Sequence, residues 1–202
     1  MPTAHPTAPT VPTDTERPRD RRSSTPSAPR TVDRIARVLF ALSLAGGIVW
    51  MLVLADTVRT WEAHLAAWWM DPWVRRGATA FEDTYMVWIS ENHLVGFQVT
   101  AECTAVILLA PLLALGAGLM LSTRVSWFRG ILGIAASSLV MVLVNQARLA
   151  LIALSTQQGG LEAGYEFGHR FAGSVVGIAG FAVGLIVLLA VTGVRRRRRA
   201  RS

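Results

Sequence analysis

Residues Val144 to Phe171 read VNQARLALIALSTQQGGLEAGYEFGHRF. The stretch begins inside an apolar run that carries Asn145 and Arg148, and ends with His169 at the start of a second apolar run. An arginine inside an apolar run needs a physical reason. The question is whether two polar residues on two neighbouring helices belong to one site.

Outward from this stretch, the composition sets the solvent. The chain of 202 residues has the length of one domain, with 52% hydrophobic and only 16% charged residues. The apolar residues gather into runs of ~20 or more, enough to cross a hydrocarbon core of ~30 Å as helices. We read an integral membrane protein. The formal net charge of +7 could suggest a nucleic-acid partner, but the arginines cluster at the chain ends and in one short loop, where membrane topology explains them. No nucleic-acid motif accompanies them, so no nucleic-acid partner is expected. Cys103 is the single cysteine, which excludes an intramolecular disulfide and any CxxC redox or zinc pattern. No cofactor and no metal is expected.

Residues 1–33 hold seven of the nine prolines with many Thr, Ser and Arg, and read as a disordered cytoplasmic tail rather than a signal peptide. Four apolar runs follow, at 35–55, 94–121, 131–154 and 171–194, and the last is followed by a basic C-terminus over 195–202. The expected fold is therefore all-α: a transmembrane bundle over 34–194 with four spanning helices. Fifteen of the 20 arginines fall in the tail, at the start of the first run (Arg34 and Arg37), in the Arg124/Arg129 loop and in the C-terminal cluster. The positive-inside rule then makes both termini cytoplasmic in a multi-pass protein of the cell membrane. The outer loop over 56–93 has five tryptophans and Tyr85 but too many charges to span. One or two short interfacial helices are expected there, as an aromatic belt or a partial lid.

Depth brings three residues together. At ~1.5 Å per residue, Cys103 lies about 27 Å above the cytoplasmic end of the second run and Arg148 about 26 Å above that of the third. His169 comes out at about 37 Å by the same count, one or two turns higher unless its helix tilts. Steps of three and four from His169 pass through Gly173, Gly177, Gly180 and Gly184, a small-residue stripe that points the histidine into the bundle. The same steps lead from Arg148 through Asn145 and Met141 to Ser137 and Gly133, and from Cys103 through Ile107, Ala110, Ala114 and Gly118.

Each residue has an ordinary reading: a small buried hydrophobe for Cys103, a snorkelling arginine for Arg148, a solvated interface histidine for His169. Their conjunction points elsewhere. A thiolate is a nucleophile, a nearby imidazolium or guanidinium favours it, and a guanidinium can stabilise an oxyanion. Together Cys103, Arg148 and His169 describe acyl transfer at a peptide bond. Glu102 reads as an interface acid, an ion-pair partner for Arg148 or Arg170, or a contributor to the site, with the structural roles favoured. His64 and His93 read as solvated, and Ser137 and Ser138 have no base at their depth. Two non-enzymatic readings stay open: an assembly or accessory protein pairing through its glycine-lined helices, and a transporter with Arg148 as an anion site.

The motifs also resemble a known family. AECTAV around Cys103, NQARLALIAL around Arg148 and FGHRFAGSVVGIAGF around His169 are similar, in order and spacing, to segments of the exosortase/archaeosortase membrane transpeptidases. The resemblance covers about residues 94–190. It implies an enzyme that recognises secreted proteins ending in a short motif, a transmembrane helix and a basic cluster. Cutting at the outer face of the membrane would then proceed through an acyl-enzyme on Cys103, assisted by Arg148 and His169. Membrane lipid and such substrates are the implied partners.

Overall fold

The computed structural model describes residues 30–74 and 76–193. Of the tail expected over 1–33, residues 1–29 lie outside the described residues, as do Arg75 and the basic cluster over 195–202, whereas 30–33 form the start of a helix rather than disordered chain. The element order is α1 (Arg30–Val53), α2 (Ala55–Met70), β1 (Ala78–Phe81), β2 (Thr84–Ser90), β3 (His93–Gln98), α3 (Val106–Leu121), α4 (Trp127–Gly159) and α5 (Gly173–Thr192). Two wide helical turns, Gly160–Gly164 and Phe167–Ala172, link α4 to α5.

Three helical stretches are long and apolar enough to cross a bilayer: Thr31–Val53, Trp127–Gly164 and Phe167–Thr192. The second apolar run forms a shorter helix than expected. Helix α3 has 16 residues and starts at Val106 rather than at 94, about 24 Å of rise against ~30 Å of hydrocarbon. Large apolar side chains stand exposed around the bundle, among them Leu42 and Trp50 of α1, Leu143 of α4 and Ile178 of α5. Lipid is the solvent that takes up such a surface.

Inside, Leu112 and Met120 of α3 meet Ile134 and Met141 of α4 and Leu188 of α5 in a core against which Phe40 and Leu44 of α1 pack. Arg37 joins α1 to the end of α3. Its guanidinium donates to the carbonyls of Met120, Ser122 and Val125 at 3.2, 3.1 and 3.0 Å and pairs with Asp33 at 2.9 Å. The last carbonyls of a helix lack internal partners and carry negative charge, so a cation there is stabilising.

The outer segment corrects the all-α expectation. It holds one helix, within the expected one or two, but this is followed by a three-stranded antiparallel sheet in the order β1-β2-β3. Charge and tryptophan content suggested interfacial helices, yet the buried positions after Gly77 recur every second residue: Tyr85 and Val87, then Phe97 and Val99. That period belongs to a strand with one covered face. Phe81 pairs with Thr84 across the two-residue link Glu82–Asp83, with Glu82 left-handed at φ 51°. Helix α2 has one covered side: Glu62, Ala63, Ala66, Ala67 and Met70 are buried on it, while Trp61 and Trp68 are exposed on the other. Its buried side, the covered face of the sheet and Leu149, Ala150, Ile152 and Ala153 of α4 form a second core that includes Cys103.

Helices α4 and α5 pack through the glycine stripe. Gly173, Gly177, Gly180 and Gly184 are all buried, as are Gly133, Ser137, Met141 and Asn145 on the facing side of α4. A Cβ on Gly184 would lie 2.6 Å from Met141 Cε, and one on Gly173 would lie 3.1 Å from Arg148 Nε. The stripe is thus engaged within the chain. The corresponding reading of the second run fails: Ile107, Ala114 and Gly118 are exposed, and the buried side of α3 is Val106, Leu112, Gly116 and Met120. Stepping from Cys103 selected the wrong side because Cys103 precedes the helix.

Candidate active site

Cys103 sits in the turn that carries the chain from β3 into α3, and its amide donates to Thr100 O at 2.9 Å. The side chain is 3% exposed. Val106 begins α3, so Cys103 stands just before the helix start.

His169 reaches this thiol. Cys103 Sγ and His169 Nδ1 are 3.7 Å apart. Three local features remove the height difference that counting from the helix ends implies. Residues 167–172 form a wide turn, and i→i+5 closure places more residues in each turn of height. Cys103 stands above α3 on its own turn. Glycines let the returning chain touch the backbone of α4: a Cβ on Gly168 would lie 3.0 Å from Ile152 Cα, and one on Gly164 would lie 2.9 Å from Thr156 Cα. The hairpin reverses at Gly160, which has φ 81°.

Arg148 completes the cluster from α4. Its Nη1 donates to Glu102 O at 2.8 Å, so it grips the carbonyl that immediately precedes the cysteine. Its Nε is buried without a partner. Of the alternatives for Glu102, the ion pair is not formed among the described residues: the residue is exposed, and Arg170 pairs instead with Glu166 at 3.0 Å.

Sequence reasoning missed four residues around this cluster. Tyr165 stacks on the His169 ring at 5.3 Å and 5°, and the stack continues through Phe97 at 6.2 Å to Tyr85 at 5.3 Å. The imidazole is thereby held flat against a column of rings rooted in the sheet. Tyr85 donates to Leu149 O at 3.0 Å. Burial, with Cys103 and Tyr165 nearby, pushes its hydroxyl well above the usual tyrosine range, so it remains a protonated donor. Glu62, from α2, accepts from Ala105 N at 2.7 Å. Burial pushes its carboxyl up to about 7, partly offset by the Ala105 amide and the Thr104 hydroxyl. The four-residue spacing of Tyr165 and His169 was legible, as was Glu62 inside an alanine-rich helix side. The sheet that roots the ring column was not.

The remaining candidates stay apart from the cluster. His64 and His93 are exposed, and Ser137 spends its hydroxyl on Ile134 O at 3.0 Å. A shallow pocket lined by Tyr165, Glu166, His169 and Arg170 opens beside the imidazole. Among the described residues, no group of three His, Cys, Asp or Glu side chains is placed to hold a metal. Chemically, the cluster offers a thiol, a base within reach of it, and a cation beside the same turn. A family model described as transmembrane exosortase (Exosortase_EpsH) matches residues 27–190. No curated protein and no solved structure matches the chain.

Proposed function

The chain belongs to the transmembrane exosortase family, and from that premise we propose that it is a membrane-embedded cysteine transpeptidase or protease. Its substrates are secreted proteins that end in a sorting signal: a short motif, a transmembrane helix and a basic cluster. The observation that carries this reading is the 3.7 Å contact between Cys103 Sγ and His169 Nδ1, beside a turn gripped by Arg148.

In the reaction, His169 takes the thiol proton and Cys103 Sγ attacks the scissile carbonyl. The oxyanion of the tetrahedral intermediate develops beside the Arg148 guanidinium, whose planar fork has donors left after the bond to Glu102 O. His169 then gives its proton to the leaving amine, the C–N bond breaks, and a thioester on Cys103 remains. An acceptor nucleophile or water releases the acyl group and restores the thiol. The chemistry takes place at the outer face, with both termini cytoplasmic. Helix α3, lengthened by the turn before it, makes the fourth crossing. The distribution of arginines supports that orientation.

Replacing Cys103 by Ala tests the reading. With a sorting-signal protein from the same proteome co-expressed, Cys103→Ala abolishes processing while the level of the membrane protein stays unchanged. Processing that survives the substitution removes Cys103 as the nucleophile.

A further inference from the structure

The proposed mechanism leaves one buried ionisable side chain without a task. Glu62 is 8% exposed, and none of the ion pairs among the described residues includes it. Its Oε1 accepts from Ala105 N at 2.7 Å, while its Oε2 is buried without a hydrogen-bond partner. Burying a carboxyl in this way is costly. A helix start is usually capped by a nearby short side chain, and here Thr104 already takes the amide of Val106, at 3.4 Å. A long side chain from a separate helix, brought across 43 positions of sequence, does something that local capping does not.

Its position relative to the nucleophile supplies the reason. The peptide segment around Cys103 is held from two sides. Arg148, on α4, binds the carbonyl of Glu102, one residue before the cysteine. Glu62, on α2, binds the amide of Ala105, two residues after it. Helix α2 is itself tied to α4, because Trp69 Nε1 donates to Gln146 Oε1 at 2.9 Å. We propose that Glu62 is a positioning residue for Cys103: together with Arg148 it clamps the turn Glu102–Ala105 so that the thiol stands within reach of His169. The inference rests on the reading of Cys103 and His169 as the reacting pair. Glu62 touches no reacting atom and acts through the backbone alone.

The single cysteine makes a direct test available, since any thiol reagent that labels the chain reports on Cys103. The full-length protein is treated with iodoacetamide in detergent micelles at pH 7, and the effect of His169→Ala on the alkylation rate is measured in three backgrounds. In the wild type, His169→Ala slows alkylation about tenfold, because the thiol loses the base that takes its proton. Glu62→Gln keeps an oxygen acceptor for Ala105 N, so the effect of His169→Ala remains about tenfold there. In Glu62→Ala it falls to less than about twofold, because the thiol no longer stands beside the histidine. An undiminished effect of His169→Ala in Glu62→Ala overturns the proposal, and so does an equal loss in Glu62→Gln and Glu62→Ala. If Glu62→Ala does not fold, Glu62→Asp takes its place. It keeps the carboxyl group but is one methylene too short for Ala105 N, and an undiminished effect there overturns the proposal equally. A wild type indifferent to His169→Ala overturns the Cys103–His169 pairing itself, and is thereby distinguished from a failure of Glu62 alone.

Discussion

At the scale of single residues, three side chains from three elements meet at one thiol and its turn. Cys103 is carried by a turn, His169 by a wide helical turn and Arg148 by a long helix. Arg148→Lys keeps the charge but loses the planar fork that can hold Glu102 O and an oxyanion together. We expect processing to slow about 100-fold with little change in protein level, the scale of one lost oxyanion donor; measured turnover of a co-expressed substrate checks this. Glu62 makes a separate prediction about pH. Burial raises its carboxyl from an ordinary 4.5 to about 7, so the folded protein holds a proton that the unfolded chain releases over that interval. The stabilising contribution is complete below about pH 4.5 and is lost as pH rises through about 7. Glu62→Gln does not titrate. Its melting temperature relative to wild type should therefore climb between pH 5 and pH 8 and level off above, measured by thermal unfolding in detergent. A flat difference across that range contradicts the burial argument.

At the scale of elements, the helical hairpin depends on where a Cβ can be accommodated. Gly164 lies against α4 so closely that an added Cβ would stand 2.9 Å from Thr156 Cα, whereas Gly177 has nothing within 4 Å of that position. Backbone cannot yield as a flexible side chain does. Gly164→Ala should therefore cost about 1–3 kcal/mol through overpacking, and Gly177→Ala should stay within about 0.5 kcal/mol. Thermal unfolding of the two variants measures the difference. Much of this hairpin is legible in the chain itself: the glycine stripe and the facing residues Gly133, Met141 and Asn145 follow from helical spacing alone. The sheet was not, because the charged residues and tryptophans of the outer segment invited a composition argument, while its decisive signal is the alternation of Tyr85, Val87, Phe97 and Val99. Nor was the start of α3. The residues after 94 are apolar whether they form a strand, a turn or a helix, and only the pairing of Phe97 with Tyr85 separates these states.

At the scale of the whole molecule, an apolar bundle supports a partly polar outer layer made of α2, the sheet and the turn of Cys103. The proposed orientation places that layer outside the cytoplasm. A reporter enzyme active only in the cytoplasm should work when fused to either terminus and fail when inserted at Glu91–Asn92, the exposed link between β2 and β3. The reverse pattern inverts the orientation. What the sequence by itself determined is the solvent of the fold, because runs of apolar residues measure themselves against the bilayer without any partner. It also determined which sides of α4 and α5 meet. What only the tertiary structure decided is the reach between them. Whether His169 comes down to Cys103 depends on wide turns, on glycine contacts with α4 and on a cysteine that sits above its helix. Each is a displacement of a few ångströms set by packing among distant segments. Glu62 belongs to the same category: its role exists only where α2 lies against the turn, a contact between positions 43 residues apart.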